Sequence, residues 1–228
     1  MTDDHHKKAE TMERHFEHEL EGLKTMIIKM GSLVEKSLTD ALLSVFENNK
    51  ELAEKVIDSD QRINTLEVEI DNAVVDILAL KQPVASDLRL ILAVQKLNND
   101  LERIGDHAVN IAESAIGLKG PLGEAGLLHI PEMAELTKAV FRESIDSFIH
   151  LDVNLAQEVL LKDDTVDDIN RAMSAEAVER IKSDLSAVEN TLQLIRISKN
   201  LERVADLSTN IAEEVIFLKK ARIVKHHL

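Results

Sequence analysis

The sequence predicts an all-α protein built as two tandem, pseudo-repeated antiparallel three-helix bundles with six long helices. Apolar residues recur at steps of three and four over long stretches, which is the pattern of amphipathic helices. Glycine and proline are scarce, with 7 and 3 among 228 residues, and this composition favours helices over strands. Residues 101–113 return as residues 201–213 with the same acids, Arg and Asn, which indicates an internal duplication.

Helix boundaries follow from the residues that interrupt these stripes. Asn48 and Asn49 tolerate turn conformations, and Pro83 cannot occupy a helix interior, so the chain is expected to turn at both places. Residues 117–131 hold four of the seven glycines and two of the three prolines, which predicts a central loop. The predicted helices span about 8–47, 51–81, 87–118, 131–151, 154–181 and 184–221. We therefore expect a first bundle at 1–118, a linker at 119–130 and a second bundle at 131–228.

Composition disfavours several classes of function. A net charge of −15 argues against nucleic-acid binding and against direct adhesion to anionic lipid, whereas it suits cationic partners, metal ions among them. The chain has no cysteine, which excludes disulfides, thiolate metal sites and cysteine nucleophiles. No apolar run approaches the roughly 20 residues that a membrane span needs, and no signal-like segment follows the N-terminus. We expect a soluble, intracellular protein.

The repeated string places its acids on one narrow side of a helix. At about 100° per residue, Glu102 and Asp106 lie together and away from the main apolar face, and Glu202 and Asp206 do the same in the second copy. Carboxylates four residues apart repel each other unless something cationic lies between them. Keeping this arrangement twice in one chain points to a cation-binding role.

The preceding helix of each half carries a comparable polar stripe. Its members are Asp60, Asn64, Glu67 and Asp71 in the first half and Asp163, Asp167 and Asn170 in the second. Folding each hairpin about its turn brings these stripes level with the repeated acids, and Asp40 and Glu143 come from the first helix of each half. Such all-oxygen ligand sets suit hard cations such as Mg, Mn or Fe better than Zn or Cu.

Three other readings of the acids stay open. Acids on a helical face are commonly just solvated, and Arg103 and Arg203 could neutralise part of their charge. A di-metal carboxylate enzyme or iron store on a helical bundle would need Glu-x-x-His pairs, and the sequence contains none. A metal-free coiled-coil interaction protein would not need two matched acidic stripes. We expect no enzyme, because no nucleophile constellation or glycine-rich phosphate loop is present.

Three segments carry a resemblance to a known family. Residues 101–106 (LERIGD) and 201–206 (LERVAD) resemble the paired Glu/Asp-x-x-x-Asp motifs of the PhoU family of phosphate-signalling regulators. Residues 81–89 (KQPVASDLR) are similar to that family's turn into its third helix, and residues 30–35 (MGSLVE) also fit. The resemblance spans nearly the whole chain in the right order.

The resemblance implies both a function and a set of ligands. Family members bind metal ions or clusters through the paired motifs, here Mg, Mn, Fe or Zn with an oxygen-preferring metal favoured. They act beside a Pst-type phosphate ABC transporter, through its ATPase subunit, and a PhoR-like sensor histidine kinase, as negative regulators of phosphate uptake and phosphate-starvation signalling. They are cytoplasmic, reach the membrane only through these partners, and often form homodimers. By the motif match, the expected metal ligands are Glu102, Asp106, Glu202 and Asp206. The level match of the preceding helices adds Asp60, Asp163 and Asp167.

One departure from exact repetition concerns the residue after the motif Asp. His107 in the first copy stands where Leu207 stands in the second. If the His contributes to a site, the two sites are expected to differ in strength or metal preference.

Overall fold

A computed structural model describes residues 2–81, 83–123 and 128–220, and within these ranges the chain is helical with no strand. The helices are α1 (Thr2–Phe46), α2 (Lys50–Ser59), α3 (Gln61–Lys81), α4 (Ala85–Gly117), α5 (Ile130–His150), α6 (Val153–Ser183) and α7 (Val188–Lys220), with a short 3₁₀ turn at Leu185–Ala187. The all-α prediction is confirmed. Within the described ranges, no helix combines the length and the apolar character needed to cross a membrane.

The second predicted helix is divided at Asp60 into α2 and α3. The backbone of Asp60 keeps helical angles (φ −59°, ψ −32°), but its N–H donates to the carbonyl of Ile57, only three residues earlier. This tightening of one turn interrupts the regular i to i−4 ladder. At the equivalent place in the second half, Asp163 lies inside the continuous helix α6.

The turns lie where the sequence predicts them. Asn48 has a positive φ of 50°, and the Asn49 side chain caps α2 by accepting the N–H of Leu52. The last helix begins at Val188 rather than at the predicted residue 184. The reason is local: the Asp184 carboxylate accepts the N–H of Ser186 and holds a 3₁₀ turn ahead of α7.

Each half packs as a three-helix bundle, with α2 and α3 together forming the second helix of the first bundle, and the two halves share one core. Helix α1 packs chiefly on α4 with α2 and α3 beside it, while α5 and α6 pack on α7. Helices α4 and α7 then pack against each other and join the halves. Fully buried side chains such as Ile27, Leu101, Phe141 and Leu201 belong to one contiguous cluster. Because the core is shared, the division at 118 and 131 into separate domains stays a prediction.

Polar bonds cross the contact between α4 and α7. His107 Nδ1 donates to Oδ1 of Asn200 at 2.8 Å, and Arg196 donates to Oδ1 of Asn110 at 3.0 Å. Lys96 of α4 also pairs with Glu214 of α7 across this contact, at 2.5 Å. His107 therefore serves the joint between the halves and points away from the acidic stripe of α4.

Candidate metal centre

In the first repeat, antiparallel packing of α3 on α4 brings the two polar stripes together. Gln95 Nε2 and Asn98 Nδ2 both donate to Oδ1 of Asp71, at 2.8 and 2.7 Å. Asn98 also donates to the backbone carbonyl of Glu67 at 3.0 Å. These bonds fix the register of the hairpin, so the start of α3 lies level with the motif on α4.

Gly105 lets Asp60 approach the motif closely. A Cβ atom at Gly105 would lie 3.5 Å from Oδ1 of Asp60 and 3.1 Å from Cδ1 of Ile63. The glycine sits between Glu102 and Asp106 along the helix, so the Asp60 carboxylate lies over the motif itself. Asp60 therefore lies level with the motif on α4, as the sequence predicts.

The acids of the first repeat repel one another. The pKa of Glu102 is raised, first by burial and then by the negative charges of Asp106, Glu67 and Asp60. The pKa of Asp60 is raised by burial and by Asp106, against a hydrogen bond from Asn64 that lowers it. Four carboxylates thus share one patch of α3 and α4.

Little positive charge balances this patch. Within the described part of the chain, neither Glu102 nor Asp106 lies within salt-bridge distance of a basic side chain. Arg103 lowers the pKa of Glu102 from a distance, but its guanidinium lies 3.8 Å from Asp100 instead. The first repeat therefore presents unneutralised negative charge.

Two buried oxygen atoms in this patch lack hydrogen-bond partners. They are Oδ1 of Asp60 and Oδ1 of Asn64, which follow each other by one turn of helix. A buried acceptor without a donor costs free energy unless a cation or water satisfies it. Orphaned oxygens beside mutually repelling carboxylates fit the ligand set of a hard cation.

The carboxylates of this patch do not point at one common position. Across residues 2–81, 83–123 and 128–220, no group of three or more His, Asp or Glu side chains has a metal-holding arrangement. Because like charges repel, the exposed Asp106 and the half-buried Glu102 would have to move closer together to hold an ion.

The equivalent acids of the second repeat also lie close together, but they have different hydrogen-bond and ion-pair partners. Glu202 accepts from Nδ2 of Asn170 at 2.8 Å and from Nζ of Lys199 at 2.9 Å. Asp206 accepts from Arg203 at 2.8 Å. Burial is the largest cause raising the pKa of Asp206; Arg203 opposes it, and Glu202 and Asp167 add to it. These acids are close together and largely paired.

The remaining predicted ligands of the second repeat lie on α6. Asp167 has a longer contact of 3.9 Å with Arg171. Asp163 is half-buried at the position equivalent to Asp60. All seven predicted ligands therefore lie on the two motif-bearing hairpins, with each repeat holding its own set.

The two repeats differ in charge because of residues beside the motif. Asn99, Glu67 and Val68 of the first repeat correspond to Lys199, Asn170 and Arg171 of the second. Each of these differences makes the second repeat more positive. The sites were expected to differ if His107 contributed to one of them; His107 bonds Asn200 instead, and the difference in charge comes from these neighbours.

The acids on the first helix of each half have their own counter-ions. Asp40 pairs with Lys36 at 2.6 Å, one turn away on α1. Glu143 accepts from Lys162 of α6 through both carboxylate oxygens, each at 2.6 Å. Neither acid adds free negative charge to the motif patches.

Sequence reasoning missed the amides that hold the first hairpin in register. Asn98 is fully buried, and Gln95 is half-buried one turn before it. The available signal was the occurrence of amide side chains inside the apolar stripe of α4. Such residues need a partner when buried, and here the partner is the preceding helix.

Comparison with known proteins assigns the fold to a family. The family model described as PhoU domain matches residues 27–115 and 130–215, one match in each half. The chain is 39% identical over 208 residues to the phosphate-specific transport system accessory protein PhoU homolog of Aquifex aeolicus, covering 91% of this chain and 94% of that protein. It is 30% identical over 211 residues to the phosphate-specific transport system accessory protein PhoU of Escherichia coli, covering 92% and 88%.

Solved structures agree with this assignment. The crystal structure of PhoU from Pseudomonas aeruginosa superimposes with a TM-score of 0.86 at 36% identity, covering 91% of this chain and 100% of that chain. The phosphate transport system regulatory protein PhoU from Streptococcus pneumoniae gives a TM-score of 0.86 at 30% identity, covering 92% and 100%. With both repeats matched, the chain belongs to the PhoU family.

Proposed function

We propose that the chain is an accessory protein of a phosphate transport system that lowers phosphate uptake and phosphate-starvation signalling. Its partners are the ATPase subunit of a Pst-type transporter and a PhoR-like histidine kinase, and its role is non-enzymatic. The observation that carries this proposal is similarity over 91–92% of the chain, through both repeats, to phosphate-specific transport system accessory proteins. The chain works in the cytoplasm as a homodimer and meets the membrane through its partners.

The paired acidic patches supply the metal-binding part of the proposal. In the first repeat the orphaned oxygens and unneutralised carboxylates support binding of a hard cation such as Mg, Mn or Fe. The ion would supply the positive charge that the patch lacks and would tie α3 to α4. The residues that would hold ions are Asp60, Glu102 and Asp106 in the first repeat and Asp163, Asp167, Glu202 and Asp206 in the second.

A genetic experiment tests the regulatory role. Deleting the chain in its host should raise a phosphate-starvation reporter and phosphate uptake in phosphate-rich medium, and re-expression should restore both. Unchanged reporter activity and uptake after deletion would overturn the proposal. Co-purification with tagged transporter ATPase and with the kinase, each tested singly, identifies which contact is direct.

A binding experiment tests the metal sites separately. Mn²⁺ titrated into chelator-treated protein should bind in the first repeat, and Glu102→Gln with Asp106→Asn should abolish that binding. Arg103→Gln serves as the matched control, because it lies between the two acids along the helix yet faces Asp100. Retention of full Mn²⁺ stoichiometry in the double variant would remove the first-repeat site from the proposal.

A further inference from the structure

Each repeat exposes a pair of apolar side chains near the turn of its motif-bearing hairpin. In the first repeat Val75 is 61% exposed and Leu92 is 44% exposed. In the second repeat the equivalent Val178 and Leu192 are 48% and 53% exposed. Single exposed apolar residues are ordinary on a protein surface, but these recur at the same two places in both repeats.

The hairpin register places the two side chains of each pair side by side. The bond between Gln95 and Asp71 fixes one level of the α3–α4 seam. Val75 lies one turn beyond Asp71 toward the turn, and Leu92 lies three residues before Gln95, also toward the turn. The four-residue step along α3 turns Val75 by about 40° from Asp71, and the three-residue step back along α4 turns Leu92 by about 60° from Gln95. Because the helices are antiparallel, both rotations carry the side chain to the same side of the seam, which is the solvent side.

We call this surface the turn-end patch. It consists of the exposed Val75, Leu88 and Leu92 in the first repeat and of the exposed Val178 and Leu192 with the half-buried Val188 in the second. Leu88 is 37% exposed and extends the patch by one turn of α4.

The turn-end patch runs along the seam into the acidic end of the same hairpin. Leu92 precedes Glu102 by ten residues on α4, which is about 15 Å along the axis. Asp71 and Glu67 lie between the two ends on α3. The first seam is therefore apolar at one end and negatively charged at the other, in a chain whose net charge is −15.

We propose that each seam binds an amphipathic helix of a partner protein. The helix places apolar side chains on the turn-end patch and Lys or Arg side chains about 15 Å further along, over the motif acids. A groove between two antiparallel helices accepts a third helix by ridge-and-groove packing, and binding of a helix in a groove is a common mode of recognition. Charge complementarity selects a basic helix, because an acidic segment or an anionic lipid surface would be repelled.

The two seams bind this helix with different strength. Lys199, Arg203 and Arg171 neutralise part of the acidic end in the second repeat, whereas the first repeat has no equivalent ion pairs on Glu102 and Asp106 within the described residues. The first seam is therefore the stronger site for a basic helix. This inference applies to the metal-free chain, because an ion held by Glu102 and Asp106 would neutralise the acidic end, and it does not depend on the identity of the transporter.

Synthetic peptides provide the probe. One fluorescein-labelled peptide of about 18 residues, five helical turns, carries Leu at helical spacing at one end and Lys at the other. A second has every Lys replaced by Glu, and a third is a scrambled basic sequence. Fluorescence anisotropy with the chelator-treated full chain at low salt should show saturable binding of the first peptide and at least about tenfold weaker binding of the other two.

Matched variants locate the binding surface. Leu92→Asn should weaken binding by about fivefold to tenfold, because a half-exposed Leu loses its contact with the peptide. Leu43→Asn is the control, since Leu43 is 40% exposed but lies on α1 near the turn at Asn48, at the opposite end of the bundle. Leu192→Asn should have a smaller effect, because the second seam is the weaker site.

Several results would overturn the inference. Failure of the basic amphipathic peptide to bind, or equal binding of the acidic or scrambled peptide, would refute charge-selected helix docking. An effect of Leu43→Asn as large as that of Leu92→Asn would refute the location. If Leu92→Asn converts a dimer to a monomer in light scattering and leaves peptide binding unchanged, the patch is a contact between two copies of this chain instead.

Discussion

Neutralising one carboxylate should change stability in opposite directions in the two repeats. In the chelator-treated chain, Glu102→Gln removes a charge that is surrounded by Asp106, Glu67 and Asp60. Glu202→Gln removes a charge that is bound by Lys199 and Asn170. The two substitutions are chemically identical at equivalent positions of one duplicated motif, so each serves as the control for the other.

The expected magnitudes follow from the contacts. Like charges four residues apart on a helix cost about 0.2–0.5 kcal/mol, and Glu102 has two further acidic neighbours on α3, so its neutralisation should stabilise the chain by about 0.5–1 kcal/mol. Glu202 loses an exposed ion pair and the charge assistance of one hydrogen bond, so its neutralisation should destabilise by about 1 kcal/mol.

Urea unfolding with excess chelator measures the difference. The midpoint should rise for Glu102→Gln and fall for Glu202→Gln at unchanged m-value, a separation of about 1.5–2 kcal/mol. Saturating Mn²⁺ should reverse the sign for Glu102→Gln, since the variant then lacks a ligand that stabilises the folded chain by mass action. Midpoint shifts of the same sign for both variants without metal would refute the charge asymmetry between the repeats.

Three further predictions concern metal, pH and register. Removing metal should lower the melting temperature and adding Mn²⁺ should restore it, whereas a Glu102→Gln, Asp106→Asn variant should respond less; calorimetry that shows no chelator effect on the wild-type chain would contradict this. Burial raises the pKa of Asp100 to about 6 from 3.8, so its folded form holds a proton more tightly and stability should increase as pH falls from about 7 toward 4; Asp100→Asn should flatten that slope in unfolding measurements. Asn98→Ala should destabilise the chain by about 1–3 kcal/mol, because the buried amide donates to the carbonyl of Glu67 and to Asp71, and a thermal melt equal to that of the exposed control Asn99→Ala would refute this role.

The helices themselves could be predicted because they depend on local pattern. Apolar spacing located the six rods, and the Asn48–Asn49 pair and Pro83 marked turns that the structure also has. The division at Asp60 carries no such pattern, because Asp60 keeps helical backbone angles and only the bond from its N–H to the carbonyl of Ile57 departs from the regular ladder. Propensity and periodicity do not report that bond.

The candidate site was predictable in position but not in electrostatic balance. Glu102 and Glu202 stand in the same motif, and helix geometry puts both level with acids on the preceding helix. Whether each acid is paired depends on which neighbouring side chain reaches it. Lys199 and Asn170 reach Glu202, whereas Arg103 turns to Asp100 and leaves the Glu102 patch negative.

By itself, the sequence determined the class of fold, its duplication and the two hairpins that carry the acids, because helix periodicity and turn residues act over a few neighbouring positions. Only the tertiary structure decided how α4 and α7 join the halves and that His107 belongs to this joint through Asn200. It also decided that Glu202 and Asp206 have basic partners, whereas Glu102 and Asp106 have none within the described part of the chain. These outcomes depend on side-chain rotamers and on contacts between residues far apart in the chain, and no local pattern encodes them.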